Sequence, residues 1–393
     1  MDLLYLSSLC TVKEYQRMFK KYGTTSSHAA QKYHRLMTQG LKSHGLNITM
    51  WSYRTISVPD NDDMRKETEQ ENGMIFHYVP HIRNPKLNRL YTIIKTYLFL
   101  KKWKKTHKKM YVISDTINGE FSIALFLFRL FHKCTTTGLV LDVPAIRAND
   151  NRTGIKAIPI KIKNWLIYKY DSYVFLTEQM NAVLNPKHKP YTVVEGIVDN
   201  SVFDKPNKLE NKQAEKVIMM AGLLEKDFGV DDLLEAFIEN NDKNSRLYFY
   251  GRGKSVDLIE QYSKKDSRIK FFGELENSLI MEEERKATFL INPRTPKGEW
   301  TAYSFPSKNI EYISSGTPLV AYDLPCIPAE YKDHFIIIKD IKITIKEILS
   351  MDRSLVHVFG LNAQKWIVEN KNANKQTERV ADMITKMQEE KNV

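Results

Sequence analysis

Short runs rich in β-branched and aromatic residues alternate with stretches of helical periodicity along the whole of this 393-residue chain. That alternation is the strongest constraint on the fold, because strands separated by helical crossovers pair in parallel sheets covered by helices. In the first half the strand candidates are Leu3–Leu9, Asn47–Tyr53, Met110–Ser114, Gly138–Asp142, Ser172–Leu176 and Tyr191–Val194. In the second they are Lys216–Ala221, Ser245–Tyr250, Ile269–Phe272, Thr288–Asn292, Pro318–Tyr322 and Phe335–Ile338. One core serves about 100 to 200 residues. The expectation is therefore an α/β protein of two doubly wound, Rossmann-like domains facing a cleft. The polar, proline-bearing segment Phe203–Lys212 reads as the linker. It divides residues 1–203 from 213–373, with a last helical run at 374–393. Residues 59–73, polar and mostly charged, read as a mobile surface loop. Ligands of such sheets bind beyond the carboxyl ends of the strands, so function is sought in the βα turns.

Composition narrows the class. With 42% hydrophobic and 27% charged residues the chain is neither disordered nor a disulfide scaffold. Cys10, Cys134 and Cys326 are far apart and lack zinc-site spacing, so they read as reduced thiols. The start, Met1 to Leu6, has no basic leader region and reads as a first strand. The longest apolar run, Phe121–Phe131, contains Arg129 and falls short of the about 20 residues a membrane span needs. A cytoplasmic protein is expected, peripheral on the inner face of the cell membrane.

The charge is unevenly spread. Residues 1–200 hold 30 Lys and Arg against 16 Asp and Glu, and residues 201–393 hold 29 against 31. Only the first half should meet an anionic surface. Within it, residues 87–109 place Leu90, Ile93, Ile94, Tyr97 and Leu98 at helical spacing before a Lys-rich, Trp103-bearing end. That pattern suits a helix lying on anionic lipid, although a core-packed surface helix with solvated lysines is the plainer reading. The mixed apolar and basic run Ile155–Lys163 points the same way. Nucleic acid is not expected, since no aromatic-basic sheet signature, helix-turn-helix or zinc-finger spacing occurs.

Residues 287–323 carry the chemistry. A strand through Phe289–Asn292 leads to Pro293-Arg294, then to Tyr303-Ser304-Phe305-Pro306-Ser307-Lys308, where a helix is expected to begin, with Pro306 at its first position and Gly316 ending it. A helix start beyond a parallel strand offers free N–H groups to an anion, and Lys308 adds a full charge. Glu311, one turn on, can accept hydrogen bonds from vicinal hydroxyls. Taken singly these residues also fit helix-start chemistry and an i,i+3 surface pair; their combination favours a phosphate-sugar ligand.

The run Ser304-Phe305-Pro306-Ser307-Lys308-x-x-Glu311-Tyr312-x-x-Ser315-Gly316-Thr317-Pro318, after Asn292-Pro293-Arg294, resembles the donor-site segment of family 4 glycosyltransferases of the GT-B fold, particularly bacterial members that build surface glycans. Ala221-Gly222-Leu223, Tyr250-Gly251-Arg252-Gly253 and Phe271-Phe272-Gly273 are similar to successive strand ends of that family's second domain. Tyr173–Met180 and Val194–Val198 are similar to the last strands of its acceptor domain. The resemblance implies retaining transfer from a nucleotide-diphosphate sugar, without cofactor or resident metal, to a glycan or lipid-linked acceptor. It implies Lys308, Glu311 and Arg294 as the residues of the reaction. Lys226, Gly251, Arg252, Gly273, Tyr303, Ser304, Phe305, Pro306 and Ser307 are the implied donor contacts. It also implies a closing helix at the chain end that crosses back to the first domain.

The chain departs from the family at named places. Tyr303 stands where the first of two glutamates is expected, and Glu299 is out of register. The expected Arg/Lys pair falls on Leu223 and Phe228, leaving Lys226, Arg294 and Lys308 to meet a diphosphate. These changes motivate an alternative, a non-catalytic transferase-like partner subunit. Asp115 and Asp142, at first-domain strand ends, are candidates to orient the acceptor, with capping an equally ordinary role. Gly251–Ser255 lacks the first glycine of a P-loop, and Asp60-Asn61-Asp62, an acidic pair in a charged run, reads as solvated.

Overall fold

The computed structural model describes residues 1–22, 28–55, 68–143, 158–201 and 205–390. The chain forms two compact units, one of Met1–Ile197 with Ala373–Val393 and one of Val198–Asn372.

In the first unit, β1 (Asp2–Ser7), α1 (Val12–Tyr22), α2 (His28–Ser43), β2 (Asn47–Ser52), β3 (Thr68–Glu71), β4 (Met74–Tyr78), α3 (Pro85–Thr106), β5 (Tyr111–Asp115), α4 (Gly119–Arg129), β6 (Thr135–Val140), α5 (Ile158–Ile167), β7 (Ser172–Phe175), α6 (Glu178–Leu184) and β8 (Tyr191–Val193) follow one another. The sheet runs β3-β4-β2-β1-β5-β6-β7-β8. Leu3, Leu4, Tyr5 and Leu6 of β1 are wholly buried, as a strand in the middle of a parallel sheet requires. The six first-half strands expected from the sequence are all present. That at Gly138 begins earlier, at Thr135, because the β-branched run Thr135-Thr136-Thr137 also suits the extended backbone.

The reading of 59–73 as a loop needs correction at its end. Residues 68–71 form β3, the sheet's antiparallel edge, which turns through Asn72 (φ 51°) and Gly73 (φ 68°) into β4. Positive φ at both turn positions is the two-residue hairpin that Asn-Gly favours, and the dipeptide was present to be read. Asp60-Asn61-Asp62 lies outside the described residues.

The second unit comprises β9 (Lys216–Leu223), α7 (Val230–Ile238), β10 (Ser245–Arg252), α8 (Val256–Lys265), β11 (Ile269–Phe271), α9 (Asn277–Lys286), β12 (Phe289–Asn292), α10 (Ser307–Ser314), β13 (Leu319–Ala321), β14 (Ile336–Ile337), α11 (Ile341–Ser350) and α12 (Arg353–Lys371). Its six parallel strands lie in the order β11-β10-β9-β12-β13-β14. Numbered within the unit this is 3-2-1-4-5-6, the Rossmann order, whose switch point falls between β9 and β12. Successive β9 residues feed opposite cores: Val217, Met219 and Ala221 one, Ile218 and Met220 the other.

The expected linker, too, is mostly something else. The boundary between units falls at Ile197 and Val198, and the polar stretch after it fastens to the second unit. Buried Asn207 donates to Ser315 O (3.0 Å) and Thr317 Oγ1 (2.9 Å). Lys212 donates to Ala287 O (2.7 Å) and Thr317 Oγ1 (2.8 Å). Polarity here reflects buried hydrogen bonding rather than a free tether.

The last helix, α13 (Ala373–Glu390), is part of the first unit. Val380, Met383, Ile384 and Met387 enter that unit's core, and Gln376 donates to Gly196 O (2.7 Å). It lies close against α2 because Gly40 has no side chain: a Cβ there would come within 2.4 Å of both Ala373 O and Thr377 Oγ1.

Candidate active site

The site is built where β9 and β12 part. They pair only at Ile218–Phe289 and Met219–Leu290. Beyond that, the Tyr312 hydroxyl from α10 takes the place of the missing strand, accepting from Ala221 N (2.7 Å) and donating to Ala221 O (2.9 Å). The open crevice therefore costs no unpaired main-chain group at Ala221. Gly222 follows at φ 127°, and Gly251 at φ 126° lies beside it in the register of β9 and β10. A Cβ on Gly251 would strike Gly222 O at 1.9 Å. Gly251 N donates to Gly273 O (2.8 Å), so Gly222, Gly251 and Gly273 line neighbouring strand ends with bare backbone.

The helix beyond β12 starts one residue later than expected. Pro306 is the residue before the first turn rather than the first helical position, and no side chain, Ser304 included, caps the helix. Asn309 N donates to Pro306 O (2.8 Å), while Asn292 at the end of β12 donates its side-chain amide to Asn309 Oδ1 (2.6 Å). Gly316, at φ 77°, ends the helix as expected.

Lys308 crosses Gly222, its Cε being 3.4 Å from where a Cβ would stand. Its ammonium bonds to Glu311 Oε1 at 2.6 Å and lies 3.8 Å from Glu284 Oε1. The i,i+3 pair is thus made, but over a wholly buried second carboxyl on α9. Burial acts to lower the Lys308 pKa, and the charges of Glu311 and Glu284 outweigh it, holding it above the ordinary lysine value. Glu284 was not singled out from the sequence.

Arg294, two residues past β12, is 3% exposed. Its guanidinium stacks on Trp300 at 4.0 Å, and its Nε and Nη2 have no hydrogen-bond partner. Burial pushes it down to about 10, so it remains cationic at neutral pH. The loop after β9 meets this loop, since a Cβ on Gly229 would fall 2.1 Å from Pro293 O, and Phe228 lies edge-on to Trp300 at 6.3 Å.

Other expected contacts are placed differently. Phe305 is buried against Tyr331 in the core, and Pro306 is buried beside it. Tyr303 and Ser304 are half-buried, Ser307 is exposed, and the Ser304 carbonyl accepts from Cys326 Sγ (3.5 Å). Lys226 is 84% exposed, 4.0 Å from Asp231. It lines a separate groove of about 380 Å³ with Glu225 and Lys254. Arg252 is exposed, 3.8 Å from Glu274. Glu299 is exposed in a short helical turn, Glu299–Ala302, so the loop does not fold it inward.

In the first unit, Asp115 is buried. It accepts from Ile117 N (2.9 Å) and Asn118 Nδ2 (3.2 Å) and lies 3.5 Å from His34 Nε2, so its oxygens organise the βα turn. Half-buried Asp142 lies two residues past β6. Cys10, Cys134 and Cys326 form no disulfide.

Comparison with known proteins bears on this geometry. The family described as glycosyl transferases group 1 matches residues 215–351, which span β9 to the first residue after α11. The match falls wholly within the second unit. Around it, the full chain has the GT-B fold. It is similar to sucrose-phosphate synthase from Thermosynechococcus elongatus, at 12% identity and TM-score 0.67 over 99% of each chain. It is similar to the lipopolysaccharide outer core galactosyltransferase WaaB, at 12% and 0.58 over 98% of this chain and 100% of that one. A TarM variant from S. aureus, in complex with fondaparinux, alpha-GlcNAc-glycerol and UDP, aligns at 11% and 0.63 over 98% and 99%. No curated protein matches the chain. At these identities the likeness carries the fold, and the side chains at the switch point must carry the chemistry.

Proposed function

We propose that the chain is a retaining glycosyltransferase that moves a sugar from a nucleotide-diphosphate sugar to a glycan or lipid-linked acceptor in bacterial surface polysaccharide synthesis. The observation that carries this reading is Arg294, a buried guanidinium with two unpartnered nitrogens at the sheet's switch point, in one unit with Lys308 and the open first turn of α10. A buried cation without partners is unfavourable unless an anion completes it.

As the glycosidic bond to the diphosphate breaks, negative charge grows on the leaving oxygens. Groups fixed beforehand stabilise that growth more than they stabilise the ground state. Arg294 and the Lys308 ammonium supply charge, the N–H groups of Ser307 and Lys308 supply hydrogen bonds, and the Glu311 carboxylate accepts from a ribose diol. Bare backbone at Gly222, Gly251 and Gly273 lets the nucleotide lie against the strand ends. No resident metal is invoked; among the described residues no group of three or more His, Cys, Asp or Glu is arranged to hold one.

The acceptor's side of the reading rests on α3. This helix buries Asn88, Thr92 and Thr96 and exposes Leu87, Leu90, Ile94 and Leu98 along one face, above exposed Lys101, Lys102 and Lys105. Such inverted amphipathicity suits a helix that rests on an anionic membrane. Among the described residues no helix is long and apolar enough to cross one.

The test is calorimetry with UDP and GDP, followed by transfer from labelled nucleotide sugars to a membrane-lipid extract. Wild type should bind one nucleotide and label a lipid product, and Lys308→Ala should lower the rate about 10²- to 10³-fold. Equal product from both would remove the assigned site. The rival reading, a non-catalytic partner subunit, draws on Tyr303 and the outward-facing Glu299. Absence of nucleotide binding would favour it.

A further inference from the structure

Glu284 is the most enclosed acid in the second unit and has no assigned role. It projects from α9 with 0% exposure, and neither carboxyl oxygen has a hydrogen-bond donor among the described residues. The nearest cation, Lys308, stands at 3.8 Å and gives its hydrogen bond to Glu311. The groups that face Glu284 are Glu311, Lys308 and Tyr312 from α10, and Arg285 from its own helix. Arg285 Nη1 is committed to Met281 O (3.1 Å). The main-chain oxygen of Glu284 is held by Thr317 Oγ1 (2.8 Å), which fixes the residue in place.

One ammonium cannot neutralise two adjacent carboxylates, and the unpaired one would be a bare charge in the interior. Burial first, and then the charge of Glu311, push the Glu284 carboxyl well above the ordinary range, with Lys308 pulling the other way. The protonated form is thereby favoured, and that form has a proton to give. The acceptor that faces it is the carboxylate of Glu311.

We propose that Glu284 is a positioning residue of the donor site: its protonated carboxyl donates to Glu311 and holds that carboxylate, together with Lys308, in the orientation that meets a nucleotide's ribose. The inference rests on the donor-site reading above and deepens it. The hydrogen bond leaves Glu311 ionised and ties its carboxylate to both Glu284 and Lys308.

The test has two arms on the full chain. Glu284→Gln keeps a donor and removes the titration, whereas Glu284→Leu removes both. The first arm is thermal stability against pH. The folded protein holds a proton on Glu284 that the unfolded chain has released above the ordinary carboxyl range. This group's contribution is therefore fully present in acid and is lost as pH rises through its raised folded value. Wild type should lose stability more steeply than Glu284→Gln as pH rises above the ordinary carboxyl range; identical profiles would overturn the shared proton.

The second arm is UDP and GDP calorimetry. Glu284→Gln should bind within about threefold of wild type, and Glu284→Leu about tenfold more weakly, the scale of one lost hydrogen bond to a charged group. Equal affinity of wild type and a folded Glu284→Leu would overturn the positioning role. Absence of binding by wild type would defeat the donor-site reading and the positioning role with it, while the stability arm still decides the proton.

Discussion

Arg294 is kept at a loss to the folded protein. Its buried Nε and Nη2 lack partners, and Trp300 satisfies only one face of the cation. Arg294→Met, which keeps much of the packing and removes the orphan charge, should leave thermal stability equal or higher. It should weaken UDP or GDP affinity at least about tenfold and slow transfer about 10²- to 10³-fold. A variant that binds nucleotide normally, or that is clearly less stable, would speak for a purely structural arginine. At this scale the sequence was partly legible. Arg294, Lys308 and Glu311 stand at motif spacings, and the structure puts Lys308 and Glu311 in contact. Glu284 was hidden because it belongs to the charged run Glu282–Lys286, which has the look of a solvated helix face. Only the packing of α9 under α10 shows that Glu284 is enclosed while Glu282 is left on the surface with Lys205.

At the scale of elements, what could be read was what local chemistry decides. The parallel strands announced themselves because strands buried on both faces run apolar through successive positions, as at Leu3–Leu6 of β1 and Phe289–Ile291 of β12. The β3–β4 hairpin escaped because Thr68–Glu71 is polar throughout, an edge strand protected by its charges; only Asn72-Gly73 marked it. The strap at Asn207 and Lys212 escaped for the opposite reason, since polar residues were buried where polarity suggests water. The α2–α13 contact depends on a missing side chain, which no periodicity reveals. Gly40→Ala gains about 0.5 to 1 kcal/mol of helix propensity. It also places a methyl group against the Ala373 carbonyl, where overpacking costs about 1 to 3 kcal/mol. The second effect should win, giving a net loss in urea unfolding; a gain would mean that α13 can move aside.

For the whole molecule, the charge arithmetic has a structural counterpart. The basic half contains the helix that turns leucines outward, and the near-neutral half contains the proposed nucleotide site, so bulk charge and nucleotide binding are separate matters. Anionic vesicles should retain the protein at low salt and release much of it near 1 M, where screening falls to about 3 Å. Leu90→Asp with Ile94→Asp should abolish retention while leaving nucleotide affinity unchanged, because both residues are exposed on α3. Retention unaffected by the double substitution would mean that another surface meets the lipid.

The return of α13 to the first unit also has a consequence for how the protein is made. Residues 198–372 are an insertion within that unit, so its eight strands leave the ribosome well before the helix that completes their core. At about 5 to 20 residues per second, the interval is roughly 10 to 35 s. Throughout it Leu41, Tyr111 and their neighbours lack the cover of Val380, Ile384 and Met387. Folding of the first unit is thus completed only when the inserted residues have been synthesised, and until then part of its apolar core stays open to solvent.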